Sequence, residues 1–188
     1  MLRPLDREKF SELYRQHIAL DFPPDEIPPE KMFANGLDEN LFSGYMYVED
    51  DEERGYAFLI ERSNAVMLFL FAVYDGYRGQ GIGTRFMREL LDFISDRDYI
   101  VLEAERPETA ENDADRKVRE KRLSFYENLG YVADKNIDYE IYYVPMWLMA
   151  HPLSKPVPSS EELAAAMRMF YSHAKGLPLR TSLFEEEQ

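Results

Sequence analysis

Val73-Tyr74-Asp75-Gly76-Tyr77-Arg78-Gly79-Gln80-Gly81-Ile82-Gly83-Thr84 joins two segments of opposite character. Before and into it, Ala65 to Val73 is an uninterrupted apolar run, the pattern of a central strand covered on both faces. After it, Ile82, Phe86, Leu90 and Ile94 fall four apart and Met87 and Leu91 widen the stripe, which predicts an amphipathic helix over Gly81 to Ser95. A buried strand that runs into such a helix through glycines at 79, 81 and 83 gathers free backbone amides at one point. Little side-chain bulk stands in the way of an anion there, and the field of the helix favours its charge, so the junction predicts a pyrophosphate site.

Before the central strand, Phe42 to Val48 and Gly55 to Ile60 read as a hairpin whose acidic turn is Glu49-Asp50-Asp51-Glu52-Glu53. Asp6 to Leu20 reads as a packing helix with Phe10, Leu13, Tyr14 and His17 on one face. Prolines at 23, 24, 28 and 29 stop it, and a short helix is expected from Glu30 to Asn35, ended near Gly36. Downstream, Tyr99 to Ala104 is a strand and Pro107 to Asp115 a polar connection. Arg116 to Leu129 returns to helix, with Val118, Phe125 and Leu129 expected inward and Gly130 as its C-terminal cap. Two strands follow, Tyr131 to Ala133 and Tyr139 to Leu148, with Asp134-Lys135-Asn136 expected as the turn between them. This order predicts an α/β fold with a mixed sheet.

His151 to Pro158 reads as an extended connector. The capping-box spacing Ser159 to Glu162 then opens a last helix expected to reach Lys175, where Gly176 and Pro178 stop it ahead of an acidic end, Phe184 to Gln188. The expected organisation is one domain over residues 1–150, followed by a connector and helix over 151–188. That helix is expected to pack on the same domain or on a second copy of the chain, as in a homodimer.

The composition bounds the function. The chain has 188 residues, 45% of them apolar, which suits one folded domain. Its 22 basic and 36 acidic residues give a formal charge of −14, a field that repels nucleic acid and anionic lipid and favours cationic partners. With no Cys, thiolate nucleophiles and cysteine metal sites are excluded, and a reducing cytoplasm is the expected location. Arg3, Asp6, Arg7, Glu8 and Lys9 break the first ten residues, so no signal peptide is expected, and Ala65 to Val73, the longest apolar run, is too short for a membrane span. His17, His151 and His173 are isolated in sequence, and no metal is expected.

The glycine pattern rejects two familiar anion loops. A P-loop needs Gly-Lys followed by Ser or Thr, whereas Gly83 is followed by Thr84 and Arg85. A dinucleotide fingerprint needs Gly or Ala at position 84. Arg78-Gly79-Gln80-Gly81-Ile82-Gly83 instead resembles the acyl-CoA-binding motif of the GCN5-related N-acetyltransferase (GNAT) superfamily: Gln or Arg, two residues, Gly, one residue, then Gly or Ala. Arg78, Gly81 and Gly83 match its fixed positions. Ser124-Phe125-Tyr126-Glu127-Asn128-Leu129-Gly130-Tyr131 is similar to the family's second recurring segment, and the resemblance covers about residues 41 to 148.

The resemblance implies a mixed sheet splayed around its central strands, acyl-CoA in the opening, and N-terminal helices on the acceptor side. Acetyl-CoA is then the acyl donor. The amides of Gly79, Gln80, Gly81, Ile82, Gly83 and Thr84 would hold its pyrophosphate, with Arg78 either adding charge or facing solvent. Phe71, Ala72 and Val73 would pair their backbone with the pantetheine arm. Asn128, and Arg122 from the basic cluster Arg116, Lys117, Arg119, Lys121 and Arg122, are further candidates for the donor. That cluster reads equally as a solvated face balanced by neighbouring acids.

Transfer of an acyl group releases a thiolate, and the resemblance assigns Tyr126 to protonate it. On the residues alone Tyr126 reads as structural. The attacking amine must lose a proton, and Glu103 and Glu105 lie two apart on one predicted strand. Glu105, nearer the strand's end, ranks first as base. Glu140 and Tyr142 are alternatives, and all four read equally as surface or hydrogen-bonding residues. Arg106-Pro107 stands where many relatives have an Asn, which unsettles any copied acceptor assignment. The expected reaction is direct attack of a primary amine on acetyl-CoA, with a small cationic amine favoured over a peptide amine. A transferase for another short acyl group and a non-catalytic acyl-CoA sensor are the alternatives.

Overall fold

The computed structural model describes residues 1–22, 27–141 and 143–172, and the expectations for Pro23 to Glu26, Tyr142 and His173 to Gln188 lie outside them. The described strands are β1 (Leu2–Pro4), β2 (Ser43–Glu49), β3 (Glu52–Arg62), β4 (Ala65–Val73), β5 (Tyr99–Glu105), β6 (Val132–Ile141) and β7 (Val144–Pro152). The helices are α1 (Arg7–Leu13), α2 (Ala19–Asp21), α3 (Glu30–Asp38), α4 (Ile82–Phe93), α5 (Asp113–Glu127) and α6 (Ser160–Ser172). The strands form one mixed seven-stranded sheet in the order β1-β2-β3-β4-β5-β7-β6. Its parallel pair is β4 with β5, registered from Ala65 opposite Tyr99 to Met67 opposite Val101. A parallel pair needs a long crossover, and α4 supplies it. β4 is fully covered only as far as Leu68; beyond it Phe69, Phe71 and Val73 are half-buried.

The chain divides into two compact units. The first comprises residues 1–61 and 68–90. Its hairpin of β2 and β3 turns at Asp50 and Asp51, both at positive φ, in the acidic stretch where the sequence predicts a turn. Phe10, Phe33 and Phe58 meet edge to face or tilted at 4.7 to 5.9 Å, packing α1 and α3 on the sheet. Tyr47 stacks on Phe86 of α4 at 4.8 Å. Gly55 lies so close to β4 that a Cβ there would stand 2.3 Å from the Ala72 carbonyl oxygen. The expected helix over Asp6 to Leu20 is interrupted, because Tyr14 to Ile18 forms a π turn between α1 and α2.

The second unit comprises residues 62–67 and 91–188. β5 pairs antiparallel with β7, and β7 with β6. Asp134 to Asn136 does not separate two strands as expected. The Asp134 carboxylate accepts the amides of Asn136 (2.7 Å) and Ile137 (3.2 Å), so this local turn is absorbed as an irregularity inside β6. α5 begins at the Asn112 cap, whose side chain accepts two amides, and ends on Gly130 at φ +88.

Val118 is 55% exposed, against the expectation that it faces inward; the buried residues of α5 are Arg119 and Tyr126. Arg119 is tolerated there because Glu105 and Asp115 each pair with it at 3.0 Å. Ser159 and Glu162 form the reciprocal cap of α6, which buries Leu163, Met167, Phe170 and Tyr171. Tyr171 donates to Glu103 of β5, so the terminal helix docks within its own unit.

Candidate functional site

In the first unit, β4 leaves the sheet at Val73, and the Tyr74 amide donates to the Arg54 carbonyl at 2.9 Å. Asp75 to Tyr77 makes one 3-10 turn, after which Gly79 and Gly81 both adopt φ +76. Two residues at positive φ separated by one, a conformation that costs glycine least, redirect the chain into α4. The helical ladder begins with the Arg85 amide donating to the Gly81 carbonyl at 3.1 Å. The amides of Ile82, Gly83 and Thr84 therefore precede the first helical donor and have no acceptor within the helix. Nothing lies within 4 Å of the position a Cβ would take at Gly76 or Gly79, so this side of the loop is open. These features fit a diphosphate, which needs converging donors and room for backbone contact.

Side chains brace the loop. The Gln80 amide group donates to the Gly76 carbonyl at 2.9 Å, and Arg85 reaches the Gln80 carbonyl at 3.3 Å. Arg85 also grips both oxygens of Glu49 at 2.8 and 2.9 Å, which holds that carboxyl down to about 2. The acidic turn is thus partly committed to the loop, since Glu52 also accepts the Tyr77 hydroxyl at 3.1 Å. Arg78 is turned toward protein groups. Its Nε donates to the Val73 carbonyl at 2.9 Å, and its guanidinium pairs with Asp75 at 2.5 Å and lies 3.8 Å from Asp21. Of the predicted pantetheine strand, Ala72 is buried, while Phe71 packs at 4.8 Å from Phe86.

In the second unit, Tyr126 sits in the last turn of α5, 8% exposed, with Phe125 and Tyr131 at 5.2 and 5.6 Å. Burial pushes its phenol up to about 12, against the opposing pull of Arg122. Glu103 accepts hydrogen bonds from the hydroxyls of Tyr139 and Tyr171, the latter at 2.8 Å to each oxygen. Desolvation raises its pKa in spite of these bonds.

Glu105 is held by Arg119 at 3.0 Å and Arg122 at 2.6 Å, one on each oxygen. Arg122 is therefore engaged with a carboxylate, and Arg116 with Glu120. Asn128 is exposed beside the C-terminus of α5, and Glu140 is half-buried near the end of β6. Among the described residues, no group of three His, Asp or Glu side chains is arranged to hold a metal, and no helix is long and apolar enough to cross a membrane.

Several of these partners were invisible in the sequence. Asp21, Tyr139 and Tyr171 reach their contacts only through tertiary structure. Arg85 alone carried a local signal, being a cation one turn into the helix after the glycines.

Residues 42–133 match the family model described as an acetyltransferase (GNAT) domain. A search of curated proteins finds no match. Among solved structures, a protein of Bacteroides thetaiotaomicron described as a GNAT-family acetyltransferase superposes with a TM-score of 0.78 at 20% identity, covering 94% of this chain and 98% of that one. The ribosomal-protein-S18-alanine N-acetyltransferase of Escherichia coli gives 0.60 at 22% identity, covering 83% and 95%. The Vibrio cholerae spermidine N-acetyltransferase, solved with CoA and spermine, gives 0.63 at 15% identity, covering 82% and 96%. At these identities the solved structures show the fold, and the family model speaks for the matched segment. Residues 42–133 are thus similar in sequence to the GNAT acetyltransferase domain, and the chain shares the fold of GNAT acetyltransferases.

Proposed function

We propose that the chain moves the acetyl group of acetyl-CoA to a primary amine by direct attack, with a small cationic amine favoured over a peptide amine as acceptor. The observation that carries this reading is the opening of α4, where Gly79 and Gly81 at φ +76 precede amides that have no helical acceptor. The acceptor preference is supported by the formal charge of −14. The Vibrio cholerae structure is named for a small cationic amine of this kind, and the Escherichia coli structure for a peptide amine.

In this reading the amides of Gly79 to Thr84 bind the donor's pyrophosphate, and the backbone of Phe71 to Val73 pairs with its pantetheine amides. The thioester supplies an electrophilic carbonyl and a thiolate leaving group. The amine nitrogen forms a bond to the carbonyl carbon as the carbon–sulfur bond breaks, and the Tyr126 hydroxyl gives its proton to the departing sulfur. Glu103 is the better candidate than Glu105 to receive the amine's proton, directly or through water. Its burial strengthens its hold on a proton, whereas both oxygens of Glu105 are committed to guanidinium groups.

The test is incubation of the protein with acetyl-CoA and a library of mono-, di- and polyamines and peptides, with products read by mass. The expected result is a gain of one acetyl group on a cationic amine together with stoichiometric CoA release. CoA binding with no transfer to any amine identifies a sensor and overturns the reading.

A further inference from the structure

We propose that Arg78 is a positioning residue that fixes the exit of β4, and not a ligand of the donor's phosphates. The proposal rests on the reading of the Gly79–Thr84 loop as the donor site.

One guanidinium joins three parts of the first unit. Its Nε caps the Val73 carbonyl at 2.9 Å, the last backbone group of β4. One terminal nitrogen pairs with Asp75 in the following turn at 2.5 Å. The other lies 3.8 Å from Asp21, at the end of α2. Asp21 is in turn held by the hydroxyl of the fully buried Tyr56 at 2.8 Å, so the far end of this link is anchored in the core.

The N-terminal helical segment is shaped to make the contact. The π turn Tyr14–Ile18 adds to the helical register, and each residue added to a helix rotates the downstream residues by about 100°. Within that turn His17 stacks on Tyr74, ring centroids 4.0 Å apart and planes inclined 16°. His17 and Asp21 thus hold the loop at two points, Tyr74 and Arg78.

The side chain of Arg78 is 56% exposed, so each ion pair by itself contributes little stability. What the three partners supply is geometry. A planar fork bonded to the Val73 carbonyl and to Asp75, with the Asp21 carboxylate 3.8 Å from its third nitrogen, fixes the direction of that carbonyl and the start of the loop. Two of its three nitrogens already bond to protein groups, so a phosphate would have to compete for the fork.

The two roles separate with a donor that lacks phosphates. Arg78→Met is compared with the unchanged protein using acetyl-CoA and S-acetylpantetheine, and CoA affinity is measured by calorimetry. A positioning role predicts that kcat/KM falls by the same factor, about tenfold, with both donors. CoA affinity should stay within about twofold, because the loss lies in orientation and not in ground-state binding.

A loss confined to acetyl-CoA, with weakened CoA binding, makes Arg78 a phosphate ligand and overturns the proposal. Asp21→Asn keeps an acceptor for Tyr56 and removes the charge. It is expected to lower transfer from both donors, and the double variant to be no worse than Arg78→Met alone. Full additivity overturns the proposal, and a silent Asp21→Asn overturns it even if Arg78→Met does not fold. An unchanged protein that binds no CoA removes the donor site itself, a different result in which the functional reading fails first.

Discussion

A phenol serves as an acid only while it still carries its proton, and the burial of Tyr126 keeps it protonated to about 12. Tyr126→Phe removes the hydroxyl and keeps the ring packing against Phe125 and Tyr131. It is expected to lower kcat by roughly a hundredfold or more with little change in the KM for acetyl-CoA, as measured by steady-state thiol release. An unchanged kcat leaves Tyr126 a packing residue. Glu103 makes a different statement, about stability. Desolvation outweighs the two phenol hydrogen bonds, so the folded chain holds this proton more tightly than the unfolded chain does. The stabilisation is complete below its ordinary value of 4.5 and is lost as pH rises through the higher folded value. The Tm advantage of the unchanged protein over Glu103→Gln should therefore be largest near the acid end and shrink toward neutrality. A difference that does not vary with pH contradicts the raised value.

At the scale of elements, the loop between β4 and α4 depends on backbone conformation more than on any side chain. Gly81→Ala places a Cβ at φ +76 with Arg85 Nη1 3.1 Å away, and left-handed backbone costs a residue with a Cβ about 1–2 kcal/mol. The expected outcome is a KM for acetyl-CoA raised about tenfold and a lowered Tm, with amine KM unchanged. Gly55→Ala tests the other side of the same strand. Its Cβ would meet the Ala72 carbonyl at 2.3 Å, a backbone atom that cannot move aside cheaply. A larger loss of Tm than for Gly81→Ala is expected, read by thermal unfolding. The glycine loop was legible in the sequence because three glycines between an apolar run and a four-residue apolar period have few other uses. The π turn at Tyr14–Ile18 was not, since the same apolar spacing also suits a regular helix and its extra residue is held by contacts far along the chain, such as His17 on Tyr74. Val118 misled for a related reason: periodicity cannot foresee a buried Arg119 satisfied by Glu105, Asp115 and the Arg106 carbonyl. Glu103 and Glu105 were found as a pair on one strand, but what distinguishes them, two tyrosines for one and two arginines for the other, is tertiary.

For the whole molecule, the formal charge of −14 acts in opposite senses on the two substrates. A polyanionic donor approaches against the field and relies on short-range amide donors, which salt screens weakly. A cationic acceptor approaches with the field, and its encounter is favoured at distances where salt does screen. Between 0.01 and 0.1 M ionic strength the Debye length falls from roughly 30 to 10 Å, enough to remove long-range attraction and leave contacts intact. The kcat/KM for an ammonium-bearing acceptor should therefore fall over this range, more steeply for a diamine than for a monoamine of equal length. The KM for acetyl-CoA should stay level or decrease over the same range. Initial rates across a salt series, with each substrate varied in turn, separate these slopes. If the diamine's kcat/KM is flat or rises, the acidic surface plays no part in acceptor capture, and the preference for a cationic amine loses its support.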